Sequence, residues 1–324
     1  MNEIKKTLPS VKYESGIFTA DKIKDSMKYS FKHGKIRGLT TNISALDPHF
    51  SWKKGEVTCV TGWPQSGKSE FMFFLMLLMS VHKAWKWAIY CPENMSVDNE
   101  DNVTAGEIFD TLIHMLIGKS TDPHYSNQMS ELEYEAGIDF VSNHFFVVYP
   151  EGEDHKQENI NRYLIYLKQK FKVDGWLKDP WNSLEDEYGN REDQFLRRAL
   201  ALENKYAKSY KIADVITAHP SGKPTQNANG SLDRPNQWNL SGGNMWNNKC
   251  DNILSINRPN YFQDMSDTSV DFHSLKIKKQ KLVGIPGTVP MVYDRRCNRY
   301  FIGGQTALYD AFKTGETTED KVPF

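Results

Sequence analysis

From Gly38 onward the chain alternates short β-branched apolar runs with stretches of helical period. "EVTCVTG" reads as a buried strand that runs into a glycine-rich loop, and "FMFFLMLLM" (71–79) follows as a helix apolar on every side. "KWAIYC" (86–91) is a second strand. Residues 104–143 read as mainly helical, with Ile108, Leu112 and Leu116 on one stripe. "FFVVYP" (145–150), a helix at 157–171, "VDGWLKDP" (173–180), a charged helix at 191–209 and "ADVITAHP" continue the alternation. "DNILSIN", "SLKIKKQKL" and "TVPMVYD" close it as strands. Residues 221–248, rich in Gly, Asn, Ser and Pro, read as a functional loop, because a connection that long is seldom idle. The pattern predicts an α/β fold, a mostly parallel twisted sheet with helices on both faces.

Ahead of this core, the first ~12 residues look loose. Residues 19–35 then place Ile23, Met27 and Phe31 at helical spacing behind Thr19 or Asp21 as a cap. Three segments follow: an N-terminal arm and linker helix (1–37), the core (38–304) and an acidic tail (305–324).

Composition narrows the classes. Lys plus Arg number 40 and Asp plus Glu 41, a formal charge of −1, so any nucleic-acid contact must come from a local cluster. The four cysteines show no metal-like spacing and suit reduced thiols in a cytoplasm. The apolar run 71–79 is far shorter than the ~20 residues a bilayer requires, so it is assigned to the core, not to a membrane. The N-terminus carries neither an apolar signal core nor an Arg-rich presequence, and a cytoplasmic protein is expected.

"GWPQSGKS" (62–69) fits G-x-x-x-x-G-K-[ST] between a strand and a helix, the context a phosphate-binding loop needs. Gly62 and Gly67 let the backbone curl so that N–H groups face phosphate oxygens, with Gln65, Ser66 and Glu70 completing the loop's nucleotide-binding set. Lys68 is expected at the β- and γ-phosphates, and the Ser69 hydroxyl on Mg²⁺. A metal-side carboxylate and a water-orienting group are also required. Asp179, at the end of a strand that Lys178 makes irregular, is the first, unless it only starts a turn before Pro180; Glu93, after "KWAIYC", is a candidate for the second, though a plain surface glutamate fits as well. His219 ends "VITA" at the same sheet edge, where it could sense the γ-phosphate or be only a satisfied polar residue.

Together, "RGLTTNISALD", "VTGWPQSGKSEF", "YCPENMS", "KDPWNSLE", "TAHPSGKP", "NLSGGNMWNNKCDNILSINR", "KIKKQKLVGIPG" and "VYDRRCNRYF" occur in an order that resembles the RecA-like motor of replicative hexameric helicases. That family includes DnaB, the phage primase–helicases and Twinkle, and the phage-like branch is the more similar. The resemblance spans about Gly38 to Phe301 and implies a P-loop NTPase core driven by ATP or another NTP with Mg²⁺. It implies a catalytic Glu93, a metal-side Asp179 and a γ-phosphate switch at His219. Arg258 and Tyr293 would sandwich the base, and Lys279 and Lys281 would reach the neighbouring subunit's γ-phosphate.

Two departures stand out. The family's finger is an arginine, and lysine cannot grip phosphate bidentately, so weaker activation across the boundary is expected. The residues before Gly38 are also too few for a primase, so a separate primase and polymerase are expected as partners. Single-stranded DNA is expected at loops facing a hexameric ring's centre, with Lys223 first and Asn182 and Arg191 second, although "EDEYGNRED" is acidic. The expected function is a ring-forming replicative DNA helicase. Its rivals are a RecA-like single-strand-binding ATPase (recombinase or loader) and a degenerate nucleotide-binding scaffold, which Lys178 and Lys281 would favour.

Overall fold

The computed structural model describes residues 18–98, 102–126, 128–150, 155–184 and 192–308. Contacts divide the chain into Met1–Arg37 and Gly38–Phe324. In the first unit, a 3-10 turn (Asp21–Ile23) leads into α1 (Lys24–His33), none of whose residues is buried. The cap position of α1 itself is Ile23, without a side-chain hydrogen bond, while Thr19 Oγ1 accepts from the Lys22 amide at 3.4 Å at the start of the 3-10 turn.

The second unit is built on a nine-stranded sheet. Its parallel part comprises β1 (Glu56–Thr61), β2 (Trp87–Tyr90), β5 (Phe145–Val147), β6 (Gly175–Lys178), β7 (Ala213–Ala218) and β8 (Asn252–Asn257). β9 (Ser269–Ile277), β10 (Gly287–Asp294) and β11 (Arg299–Phe301) extend it antiparallel. The order β11-β10-β9-β8-β1-β7-β6-β2-β5 puts β1 at the centre, and all six of its residues are buried. A small hairpin, β3 (Ser96–Val97) with β4 (Val103–Thr104), stands apart.

Each face of the sheet has its own core. On one side α2 (Lys68–Lys83) buries every residue from Phe71 to Ser80 and packs with α3 (Gly106–Ile117) and α4 (Glu131–His144). That all-round burial explains why α2 lacks a polar face. The opposite core joins α5 (Gln157–Phe171), α6 (Glu192–Tyr210) and α7 (Gly243–Lys249) to Trp176, Ile216 and Ile253.

Two expectations, at 221–248 and in "KIKKQKL", need correction, whereas 104–143 is mainly helical as expected. It forms two helices: Gly118, at φ +80°, ends α3, and Ser130 opens α4 with a reciprocal capping box to Glu133. Arg299 caps α3 from outside, donating to the carbonyls of Met115 (2.6 Å) and Leu116 (2.7 Å), and a Cβ at Gly118 would lie 2.7 Å from its guanidinium carbon. The 221–248 loop contains α7, because Trp246 buries against Trp181 at 5.7 Å and pulls the segment into the core. "KIKKQKL" is strand only to Ile277; Gln280–Val283 is a turn of helix, α8.

Candidate active site at the carboxyl edge of the sheet

The loop between β1 and α2 holds the left-handed conformations that a phosphate cradle needs, Gln65 at φ +62° and Gly67 at φ +83°. Gly62 has no room for a side chain: a Cβ would sit 2.4 Å from Ser66 Oγ and 2.5 Å from the Ile256 carbonyl. Tyr300 donates to the Gly67 carbonyl at 3.2 Å and Tyr261 to the Gln65 side chain, so the loop is clamped from the antiparallel side. Lys68 is buried, its ammonium donating to the carbonyls of Gly62 (3.1 Å) and Trp63 (3.4 Å). Desolvation lowers its pKa, while Asp179, Glu70 and Glu93 pull it upward. Ser66 Oγ is buried in the same cradle without a partner among the described residues, a donor left for a ligand.

Asp179 follows β6, its amide donating to the Tyr90 carbonyl at 2.9 Å. Its carboxylate accepts from Thr217 on β7 and, at 3.8 Å, from the Cys91 thiol after β2. Thr217 and Cys91 escaped the sequence reading. The signal for Thr217 was a polar residue inside the apolar run "VITA"; for Cys91 no sequence signal existed, since its role depends on β2 lying beside β6. Glu93 sits in the 3-10 turn Pro92–Asn94, with its side chain 58% exposed and Oε2 3.9 Å from His219 Nε2. Burial, then Lys68, lowers the His219 pKa against the opposing pull of Glu93 and Asp179, so the ring is neutral near pH 7 and the pair is not ionic. His219 Nδ1 is buried without a partner among the described residues. Lys68, Asp179, Glu93 and His219 thus share one field at the ends of β1, β6, β2 and β7.

Two cavities flank this cluster. One, of about 270 Å³, brings Arg258 and Tyr293 together with Gln65, Ser66 and Glu70. Arg258 lies over the Tyr261 ring at 4.6 Å and donates to the carbonyls of Gln65, Met265 and Asp267. Tyr293 stacks at 5.0 Å on Tyr300, and its hydroxyl donates to Asn298. The other, of about 150 Å³, is lined by Trp181, Asn182, Phe195, His219 and Trp246. Asn182 and Lys223 are exposed; Arg191 lies outside the described residues.

Lys279 and Lys281 part company. Lys279 is anchored within its own chain, 2.7 Å from Glu56, which is buried at the start of β1. Lys281 is exposed on α8 with no ion pair among the described residues. Its segment is held on the lead-in stretch: Gly38 N donates to Leu282 O (2.7 Å), Ser51 Oγ to Val283 O (2.7 Å) and Ile285 N to Pro48 O (2.9 Å). Gly284, at φ +145°, permits this approach, since a Cβ would stand 2.5 Å from the His49 backbone.

Lys178, the irregularity in "VDGWLKDP", is fully buried on the face opposite the loop helix, over Trp176 and 2.6 Å from Glu203 of α6. Asp214 lies 3.6 Å from the same ammonium. Burial drives Asp214 well above the carboxylic-acid range and toward its neutral form. For Glu203 the same burial is outweighed by Lys178 and by hydrogen bonds from Lys178 and Gln157, which hold it low. Lys178 is therefore a satisfied structural residue and gives no support to a decayed site.

No protein-family model matches the chain. It is 26% identical over 279 residues to the Twinkle homolog protein, chloroplastic/mitochondrial, of Arabidopsis thaliana, covering 84% of this chain and 37% of that protein. The chain therefore spans little more than a third of that relative's length. Among solved structures, an ATPase domain superposes with TM-score 0.68 at 14% identity, over 88% of this chain and 99% of that one. A DnaB-like replicative helicase, described with its interactions with primase, superposes with TM-score 0.65 at 15% identity, over 87% of this chain and 67% of that one. The α/β core, a mostly parallel sheet flanked by helices, has the fold of these two solved proteins, and in sequence the chain is similar to the Twinkle homolog.

Proposed function

We propose that this chain is the motor of a ring-forming replicative DNA helicase, coupling hydrolysis of ATP or another NTP to travel along single-stranded DNA and unwinding of the duplex. The observation that carries the reading is the convergence of Lys68, Asp179, Glu93 and His219 at one sheet edge while Lys281 stands exposed, with no ion pair among the described residues. The pocket has a general base and a metal-side carboxylate, and a free cation is presented to a neighbour.

The triphosphate rests on the loop amides of residues 62–69, where Lys68 exchanges its carbonyl partners for phosphate oxygens. Ser69 and Asp179 offer hard oxygen ligands that suit Mg²⁺, a cation that takes few protein ligands and completes its shell with phosphate and water. Among the described residues no group of three or more His, Cys, Asp or Glu competes for a softer metal. When bound, Mg²⁺ offsets the charge of the triphosphate. Glu93, exposed and next to a neutral His219, accepts the proton of the attacking water. His219, linked to Glu93 on one side and to the 150 Å³ cavity on the other, relays the state of the γ-phosphate to the segment beyond it. Lys281 enters the neighbour's pocket, and Lys279, tied to Glu56, fixes the base of that finger. Arg258 and Tyr293 hold the base.

Single-stranded DNA is read as contacting Lys223 and Asn182 from the two loops that follow His219 and Asp179, with Arg191 in the second. A hexamer, a separate primase and polymerase, and a cytoplasmic setting complete the reading. The exposed Met27 and Phe31 of α1 support a helix that packs on an adjoining subunit. No helix among the described residues is long and apolar enough to cross a membrane.

The test is strand displacement on a forked duplex with Mg²⁺ and ATP. Unwinding that disappears in Lys68→Ala and Glu93→Gln supports the reading; single-strand binding without displacement by the wild type refutes it.

A further inference from the structure

We propose that Glu70 reads the ribose of the bound nucleotide, accepting a hydrogen bond from a sugar hydroxyl and so disfavouring deoxy-sugar triphosphates; this rests on the nucleotide-driven reading above. Glu70 stands in the first turn of α2, directly after Ser69, and its Oε2 would lie 3.9 Å from a Cβ on Gly67. It lines the 270 Å³ cavity together with Arg258, Tyr293 and Arg295. A carboxylate beside a polyanion-binding loop is electrostatically unfavourable unless a donor meets it.

Among the described residues the carboxylate's hydrogen-bond partner is its own backbone amide, and no side chain donates to it. Two guanidinium groups face the same cavity, yet Arg258 is spent on the carbonyls of Met265 and Asp267, and Arg295 donates to Met265. Glu70 forms no ion pair among the described residues. The cavity therefore has an acceptor wall on the loop side and a cationic, aromatic wall opposite. A nucleotide with its phosphates on residues 62–69 and its base at Arg258 and Tyr293 must carry its sugar across the interval where Glu70 stands. On that part of the molecule the only hydrogen-bond donors are the ribose hydroxyls. A hydroxyl bonded to this half-buried acceptor is worth roughly tenfold in affinity, and a sugar lacking it leaves the acceptor unmet.

The experiment compares kcat/KM, and Kd by calorimetry, for ATP, 2′-deoxy-ATP, 3′-deoxy-ATP and purine riboside triphosphate. Wild type, Glu70→Ala and Glu70→Thr are measured, each checked for folding by circular dichroism. Loss of one hydroxyl is expected to weaken the wild type about tenfold or more, and the ratio to fall near one in both variants. Discrimination below about twofold against both deoxy-sugars in the wild type overturns the proposal, as does a ratio that persists in the variants. A Glu70-dependent loss with purine riboside triphosphate, which lacks the exocyclic amino group, assigns the carboxylate to the base and also overturns it. If the wild type binds the triphosphates without hydrolysing them, the motor reading fails while the Kd ratios still decide the role of Glu70; absence of any binding ends both.

Discussion

Lys68 holds its ammonium against two carbonyls of its own loop, and Glu93 sits exposed a short distance from His219. These two side chains carry the sharpest residue-scale expectations. Lys68→Ala should lower single-strand-stimulated phosphate release at least ~10²-fold by removing the charge at the phosphates. Glu93→Gln should lower it ~10²- to 10⁴-fold while nucleotide still binds, since only the base is lost. Phosphate release beside equilibrium dialysis separates the two effects, and normal turnover in Glu93→Gln would place the base elsewhere. His273 offers a prediction about pH. It is buried on β9, 2.8 Å from Thr288 and 3.2 Å from Arg234, and burial, aided by Arg234, lowers its pKa from 6.5 to about 4. Below pH 6.5 the unfolded chain takes a proton that the folded chain refuses until about pH 4. Stability contributed at neutral pH is therefore lost on acidification through that window, by on the order of 2–3 kcal/mol. Urea denaturation from pH 7 to 4 should show a shallower acid loss in His273→Gln than in the wild type.

Strand β6 and helix α6 meet through Lys178 and Glu203, both fully buried, with Asn161 of α5 also donating to Glu203 at 3.3 Å. Removing only the cation strands a buried carboxylate, so Lys178→Met should cost about 3–5 kcal/mol. Removing both charges with Lys178→Met and Glu203→Leu should recover much of that loss, giving a coupling of the opposite sign in a double-mutant cycle. Strictly additive losses would show that the two charges act independently. This element also marks a limit of pattern reading. Lys178 looked wrong for a strand because periodicity grades each residue alone, whereas its partner arrives from residue 203 by a crossover. The reverse happened at 221–248, whose polar composition reads as loop although Trp246 anchors a helix within it.

At the scale of the whole molecule, the question is whether the active site belongs to one chain or two. Lys281 rides on a segment braced by Gly38, Pro48 and Ser51, so "RGLTTNISALD" would buttress it as a finger. In a shared site, Lys68→Ala subunits still donate a finger, and Lys281→Ala subunits still hold nucleotide. Lys281→Ala alone should lose ~10²-fold or more of the stimulated hydrolysis, and mixing the two inactive variants should restore part of it. Mixtures as inactive as their components would argue for self-contained sites. Lys281→Arg should raise turnover, because a planar guanidinium grips phosphate with two hydrogen bonds. Truncation of residues 1–35 should lower the assembly mass in solution; an unchanged hexamer would remove α1 from the subunit contact.

The sequence by itself settled what is local. Alternating apolar runs required an α/β sheet, and the spacing from Gly62 to Ser69 required a tight turn between strand and helix, because both depend on neighbouring residues. Tertiary structure decided what depends on strand order and crossing. Placing β2 and β7 on either side of β6 brought Cys91 and Thr217 to Asp179 and Glu93 to His219. The same packing tied Lys279 to Glu56, left Lys281 exposed and gave Lys178 its counter-charge. Those pairings join residues tens to hundreds of positions apart, and no periodicity along a chain encodes which distant charge will meet another.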